Sequence, residues 1–350
     1  MSRADESSNP EYVAARVRSR KARLFDEEDY RKLVRMGTGE IARFMEETEY
    51  EREVNALGAR HQGVDLIEYA LNANLARHFD DLLDWATGQL YVDVASYLRK
   101  FDAWNVKTVL RGVYSGADRE AVTDDLIGAG EFEDGFLERL TGSESVEGVV
   151  ELLDGTIFGA PLSAALDDHE ASGLLVPLEN AVDRTFYEHL LGEVGGVTGP
   201  RELYVEFLQA EIDFRNLRNA LRIARSGADI DPAEYHIDGG RLFDAADLGR
   251  LARNPDELVE AIRAGPYGDD LSTALDDLAD AESLIGFERA LEAALLEYGD
   301  RLSHVYPVSV CPVLSYVVAK EREVDNVRAI ARGREAGLDA EEIREELVVR

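Results

Sequence analysis

Two stretches of the chain have the residue types and spacing for magnesium chemistry. Asp80, Asp81 and Asp84 form a DDxxD pattern, and Asp276, Asp277 and Asp280 form a second. Carboxylates three and four residues apart share one helix face, and two such faces turned toward each other hold Mg2+ against the phosphates of a substrate. No Arg pair follows Asp84 to grip a diphosphate, because the next residues are WATGQLY. Solvated acidic helix faces are therefore the preferred reading of both motifs. His61, His78, His169, His189, His236 and His304 show no HExxH or similar zinc spacing. A GxSxG nucleophile turn is absent. Cys311 is the single cysteine, which excludes an intrachain disulfide and a thiolate metal cluster. The stretch 192–200, GEVGGVTGP, lacks the Lys-Ser/Thr pair of a phosphate loop and reads as an internal loop, with Pro200 suited to a first helical turn. These residues imply no catalytic group, no metal and no cofactor.

The elements around these residues read as helices. Leu66, Tyr69, Ala70, Ala73 and Asn74 alternate with charged positions at a 3.6-residue period, and no long alternating Val/Ile/Thr run suggests a strand. The fold class is all-α.

One pattern recurs three times. An acidic residue stands three places before an Asn that is followed by Val or Leu and then Lys or Arg: Asp102/Asn105, Asp213/Asn216 and Glu323/Asn326. An Arg follows six residues after each Asn (Arg111, Arg222, Arg332), and a Gly eleven after it (Gly116, Gly227, Gly337). Upstream, Tyr50, Phe158 and Tyr267 keep nearly the same period, behind stretches beginning LVRM, LERL and LGRL. A period of about 110 residues is the size of a small domain rather than of a solenoid repeat. Three tandem modules follow: 1–130 with an N-terminal helix, 131–243 and 244–350. Such units could surround a pseudo-threefold axis, although an open row satisfies the same sequence.

Positions one, four and five after each Asn are apolar, so the acid and the Asn lie on one edge of a buried stripe and the basic residues on the other. Asn is a mediocre helix former, so its place in three helix interiors predicts a hydrogen bond to a neighbouring helix. Gly116, Gly227 and Gly337, each followed two residues later by Asp, read as helix ends with a cap for the next helix. Tyr12 to Arg16 matches Tyr316 to Lys320 in pattern, which predicts that the first helix packs as the last repeat helix does.

Charge bounds the setting. There are 71 acidic and 38 basic residues, a net of -33, and only five of the basic residues are Lys. Molar salt shrinks the Debye length to about 3 Å and screens self-repulsion of this size, so the composition fits a cytoplasm of very high salt. It argues against nucleic acid, which needs a basic surface. The short basic stretch RVRSRKAR (16–23) reads as a solvated helix face. The first residues, MSRADESSNPEY, contain no apolar signal-peptide core. The longest uncharged run, 305–319, spans about 15 residues and contains Pro307 and Pro312, too short and broken to cross a bilayer.

Three segments carry a resemblance: YVAARVRSRKARLFDEEDYRKL with MEETEY at 45–50, EIDFRNLRNALR at 211–222, and PVLSYVVAKEREVDNVRAIARGREAGLDAEEIREEL at 312–347. They resemble the C subunit of archaeal A-type ATP synthases, whose eukaryotic counterpart is the d subunit of the vacuolar proton pump. The resemblance covers nearly the whole chain from Tyr12. It implies a funnel of three helical modules in the central stalk, on the cytoplasmic face of the cell membrane. There it would join the proteolipid ring to the shaft formed by the D and F subunits, within a complex that also holds the A, B, E, H and I subunits. Its implied task is to pass torque between proton or sodium flow and ATP synthesis, without catalysis of its own. The helix ends near Gly116, Gly227 and Gly337 would form an equivalent docking rim. The alternative is a resemblance to all-α, magnesium-dependent prenyl diphosphate synthases, with Asp80, Asp84, Asp276 and Asp280 converging on one cavity. A free-standing helical adaptor is the third reading.

Overall fold

The computed structural model describes residues 3–194, 201–226, 231–269, 271–272, 275–276, 284–345 and 347–348, with the backbone alone at 224–226, 255, 284 and 285. Among the described residues every regular element is helical. In chain order the α-helices are α1 (Pro10–Lys21), α2 (Glu27–Leu33), α3 (Thr38–Glu46), α4 (Glu51–Leu57), α5 (Gly63–Trp85) and α6 (Gly88–Leu98). There follow α7 (Lys100–Ser115), α8 (Arg119–Asp124), α9 (Asp134–Thr141), α10 (Val146–Leu152), α11 (Gly159–Ser172) and α12 (Val176–Val194). The rest are α13 (Glu202–Ser226), α14 (Ala245–Leu251), α15 (Pro255–Arg263), α16 (Leu284–Val305), α17 (Cys311–Glu335) and α18 (Ala340–Glu345).

Contacts group the chain into two compact units, Met1–Val149 with Pro307–Arg350, and Val150–Tyr306. The first therefore contains both ends of the chain. Its central element is α17, whose residues from Cys311 through Val318 are all buried. A helix apolar on every side belongs in a core, and that accounts for the uncharged run from Cys311 to Val318, which packs against α1 and α5, whereas Val305, Tyr306 and Val308 ahead of it are exposed. Among the described residues no helix is long and apolar enough to cross a membrane.

In the second unit the core is built on α13. Phe214, Leu217, Ala220 and Leu221 of that helix pack with Leu248, Leu258, Ile262, Tyr267, Phe287 and Leu291. The stripe expected after each Asn is buried in all three copies, from Val106, Val109 and Leu110 to Leu217, Ala220 and Leu221 and on to Val327, Ile330 and Ala331.

Helix ends follow the chemistry of their residues. Gly116 and Gly337 adopt φ of 69° and 80°, left-handed values that cost an L side chain and suit Gly after a last helical turn. The carboxylates of Asp118 and Asp339 then cap α8 and α18, accepting from the N–H groups of Glu120, and of Glu341 and Glu342. Gly227 and the residues up to Asp229 lie outside the described residues. So does most of the 192–200 stretch, including Pro200.

The likeness between Tyr12–Arg16 and Tyr316–Lys320 holds for Val13 and Ala14, buried as Val317 and Val318 are, and fails at the aromatic residue. Tyr316 is fully buried, whereas Tyr12 is exposed. Helix α1 packs on α17 through its buried face of Val13, Ala14 and Val17 and is anchored by Lys21 Nζ donating to Ser315 Oγ, with Tyr12 left on its outer side.

Candidate functional site

The three Asn side chains make the same contact. Asn105 Nδ2 donates to the carbonyl of Ile127 at 2.8 Å while its Oδ1 accepts from the Ile127 N–H at 2.9 Å. Asn216 grips Ile237 at 2.8 and 2.9 Å. Asn326 grips Val348 at 2.9 and 3.0 Å. The expected neighbouring helix is therefore not the partner. Each Asn holds the backbone of a non-helical segment that returns 21 or 22 residues later. A residue outside a helix leaves its N–H and C=O unpaired, and an Asn amide offers one donor and one acceptor side by side, so it satisfies both as a neighbouring strand would.

The acidic residue fixes the next stretch of the same segment. Asp102 accepts from the N–H groups of Glu131 and Phe132 at 2.8 and 3.0 Å. Asp213 accepts from Arg241 and Leu242, each at 3.0 Å through Oδ1, and from the Tyr267 hydroxyl at 2.9 Å. Burial pushes the Asp102 carboxyl up to about 6 against these backbone donors, and burial likewise raises Asp213. Glu323 is one methylene longer and accepts from the Phe25 N–H at 2.5 Å, the Tyr50 hydroxyl at 2.7 Å and Lys320 Nζ at 2.7 Å. Phe25 to Tyr50 and Leu242 to Tyr267 are the same chain distance, 25 residues. The first fifty residues thus supply to the last acidic helix what residues 242–267 supply to the middle one.

Sequence reasoning missed the glycines that let the backbone reach the aspartates. A Cβ built on Gly130 would stand 2.1 Å from Asp102 Oδ1, and one on Gly240 would stand 2.1 Å from Asp213 Oδ1. The available signal was a β-branched residue 21 or 22 after the Asn with Gly three positions further on, as in Ile127/Gly130 and Ile237/Gly240. We expect Gly130→Ala and Gly240→Ala each to destabilise by about 1–3 kcal/mol, the range for overpacking, measured by thermal unfolding in molar KCl. Tolerance of both at wild-type stability would contradict the tight approach.

The basic residues on the opposite edge bind long helices in two copies. Arg222 pairs with Glu288, and Arg218 with Glu292 at 3.1 Å, tying α13 to α16. Arg332 pairs with Glu68, and Arg328 donates to Asn72 Oδ1 at 2.8 Å, tying α17 to α5. Arg111 is exposed and borders a groove beside α7.

The DDxxD motifs are placed otherwise. Asp80 is exposed, Asp81 pairs with Arg20, and Asp84 pairs with Arg3 at 2.9 Å. Asp276 pairs with Arg263 at 2.9 Å, while Asp277 and Asp280 lie outside the described residues. Among the described residues no group of three or more His, Cys, Asp or Glu is placed to hold a metal ion.

His78 is buried, with Nδ1 in hydrogen-bond contact with the Tyr316 hydroxyl. Burial, helped by the charges of Lys320, Arg20 and Arg77, lowers its pKa to about 2. The folded state therefore holds it neutral, whereas the unfolded chain protonates it below about 6.5. Stability from this group is present above that value and is lost as pH falls toward 2. Asp102 acts in the opposite sense, since its raised carboxyl costs stability above about 6 and relieves that cost on acidification. The His78→Phe variant isolates the first effect. Between pH 6.5 and 5 its unfolding free energy should fall less than wild type's by about 1.6 kcal/mol, the slope rising from half of 1.36 kcal/mol per pH unit at 6.5 to nearly all of it at 5. Parallel pH profiles would contradict the burial of a neutral imidazole.

Comparison with known proteins covers the whole chain. Residues 13–346 match the family described as ATP synthase (C/AC39) subunit. A protein named as the C subunit of the A-type ATP synthase from Haloferax volcanii is 66% identical over 98% of this chain and 98% of its own. One of the same name from Haloquadratum walsbyi is 63% identical over 97% of this chain and 99% of its own. A third, from Methanococcoides burtonii, is 36% identical over 100% of this chain and 97% of its own.

Proposed function

The chain belongs to the ATP synthase (C/AC39) subunit family, and from that membership we propose that it is the central-stalk connector of an A-type ATP synthase. It is a structural subunit of a rotary ATP synthase and not itself an enzyme. The family match along 13–346 sets aside the prenyl diphosphate synthase alternative built on Asp80, Asp84, Asp276 and Asp280. The finer assignment is ours: the chain bridges the membrane proteolipid ring and the D/F shaft, passes torque between proton or sodium flow and ATP synthesis, and sits peripherally on the cytoplasmic face of the membrane. The A, B, E, H and I subunits complete the assembly.

The observation that supports this reading best is the repeated clamp. A connector under load must resist deformation, and three helices each lock a returning segment through the same two backbone hydrogen bonds. Buried, fully satisfied polar contacts of this kind specify one arrangement of the backbone and stiffen it. We take the three clamps as the centres of three modules, with 1–130, 131–243 and 244–350 as their sequence intervals. The capped turns at Gly116–Asp118 and Gly337–Asp339 serve as part of a docking rim.

Reconstitution tests the assignment. The purified chain, immobilised in molar KCl, should retain both the D–F pair and detergent-solubilised proteolipid ring. Retention of neither would overturn it.

A further inference from the structure

In a chain whose acidic residues outnumber its basic ones by 71 to 38, α1 runs the other way, with Arg16, Arg18, Arg20 and Lys21 against the single carboxylate of Glu11. Arg20, beside the buried face of Val13, Ala14 and Val17, is neutralised by Asp81, and Lys21 donates to Ser315 Oγ. Arg16 and Arg18 stand apart. Both are exposed, and among the described residues neither forms an ion pair. The Arg16 guanidinium lies 4.8 Å from the centroid of the Tyr12 ring and 4.7 Å from that of Trp85. Arg18 Nη2 donates to the Pro307 carbonyl at 3.0 Å. Aromatic rings and a neutral carbonyl hold a guanidinium in place without cancelling its charge.

At about 100° of turn per residue, the exposed positions of α1 form one face. Arg16 and Arg18 lie on its two edges, Ala15 and Ser19 run down its middle, and Tyr12, 48% exposed, stands one turn before Arg16. Small residues in the middle let a second helix approach closely, and α1 offers it a length of about 18 Å. The Arg16 fork is ready for a partner. Two rings hold it in place, and none of its N–H groups donates to another described residue.

We propose that the outer face of α1 seats an acidic helix of a neighbouring subunit, with carboxylates on both flanks of that helix reaching Arg16 and Arg18 and an apolar side chain against Tyr12. The proposal rests on the stalk reading, which supplies the neighbours. Charge selects the occupant: a planar guanidinium without an internal carboxylate binds one from outside through paired N–H donors. Geometry selects a helix, because a rod laid along Ala15 and Ser19 meets both edges at once. Molar salt shrinks the Debye length to about 3 Å, so distant attraction is screened and only touching charges act. The carboxylates must therefore reach the two guanidiniums directly, which close packing over the small residues permits.

The test uses the synthase complex stripped of this subunit and rebuilt with tagged variants in molar KCl. Arg16→Glu with Arg18→Glu should weaken rebinding at least about tenfold, and Lys at both positions should keep more of the affinity than Glu. Arg43→Glu with Arg52→Glu, the same change of charge at exposed positions of α3 and α4, should change nothing. Circular dichroism of each variant separates misfolding from lost contact. In the rebuilt complex, benzoylphenylalanine at position 19 should cross-link to a helical segment of another subunit in which Asp and Glu outnumber Lys and Arg. Rebinding of the Arg16→Glu, Arg18→Glu variant at wild-type affinity would overturn the seat on α1 while leaving the stalk reading intact. So would a cross-link only to lipid, to a second copy of this chain or to a basic segment. Failure of the wild-type chain itself to rebind would overturn the stalk reading and this proposal together.

Discussion

Replacing Asn216 or Asn326 by Ala should cost roughly 2–5 kcal/mol, because a buried N–H and a buried C=O lose their partner together and each carries a desolvation penalty of about 1–3 kcal/mol; Asn105→Ala should fall toward the low end, because the Ile127 carbonyl keeps the Ala129 N–H at 2.9 Å. The three side chains are buried, and their hydrogen-bond lengths agree within 0.1 Å from copy to copy: 2.8, 2.8 and 2.9 Å through Nδ2 and 2.9, 2.9 and 3.0 Å through Oδ1. Asn→Asp should rescue little, since it removes the amide donor and sets a carboxylate against a carbonyl oxygen. Hydrogen exchange gives the site-specific reading: the amides of Ile127, Ile237 and Val348 should each lose protection in the variant of their own copy and keep it in the other two. Unequal losses, with one copy indifferent, would mean that the shared geometry carries unequal weight.

The second large effect concerns Lys320. It is 1% exposed, and its ammonium lies 2.7 Å from Glu323 Oε1, 2.9 Å from the Tyr50 hydroxyl and 4.1 Å from the centroid of the Tyr50 ring. Burial lowers the Lys320 pKa in spite of Glu323, and burial with Glu323 beside it raises that of Tyr50. A buried pair contributes little net stability while intact, yet removing one partner strands the other charge at a cost of about 3–5 kcal/mol. Lys320→Met should show that loss. Lys320→Met with Glu323→Gln should be less destabilised than Lys320→Met alone, because Gln removes the stranded charge, keeps an oxygen for the Phe25 N–H and offers its amide N–H to the Tyr50 hydroxyl oxygen. Phe25 and Tyr50 precede α5, so loss of this network should also speed proteolysis between α1 and α4. A double variant no better than the single one would show that charge is not what the pocket neutralises.

These two sites mark how far the sequence could be read. Helices were legible because apolar residues recur at 3.6 positions, and the acid and Asn were legible because they recur with the same neighbours at intervals of 111 and 110. Their partners were not. The Asn binds backbone, and backbone is the same at every residue, so the β-branched side chains at 127, 237 and 348 take no part in the contact and mark it only by their spacing. Chain order misled as well. Tyr50 and Tyr267 lie upstream of Asn105 and Asn326 by 55 and 59 residues, yet Tyr267 bonds to the preceding helix through Asp213, and Tyr50 bonds to the last helix through Glu323. That pairing joins residues 273 apart, a separation that local pattern cannot reveal. Nothing near Lys320 in the chain announces its burial, because the Tyr50 hydroxyl that accepts from it lies 270 residues away. The DDxxD motifs failed in the opposite direction. Their spacing was real, but the nearby arginines of α1, α15 and the N-terminal turn already pair with Asp81, Asp276 and Asp84.

Coupling is the property on which the functional account depends. In vesicles that carry the full synthase, ATP-driven ion uptake and ATP hydrolysis should be measured together, first with this subunit stripped away and then with it restored. The account predicts hydrolysis without ion uptake in the stripped complex, and uptake regained in proportion to the chain added back. Ion uptake that persists undiminished without it would contradict the assignment of this chain as the connector.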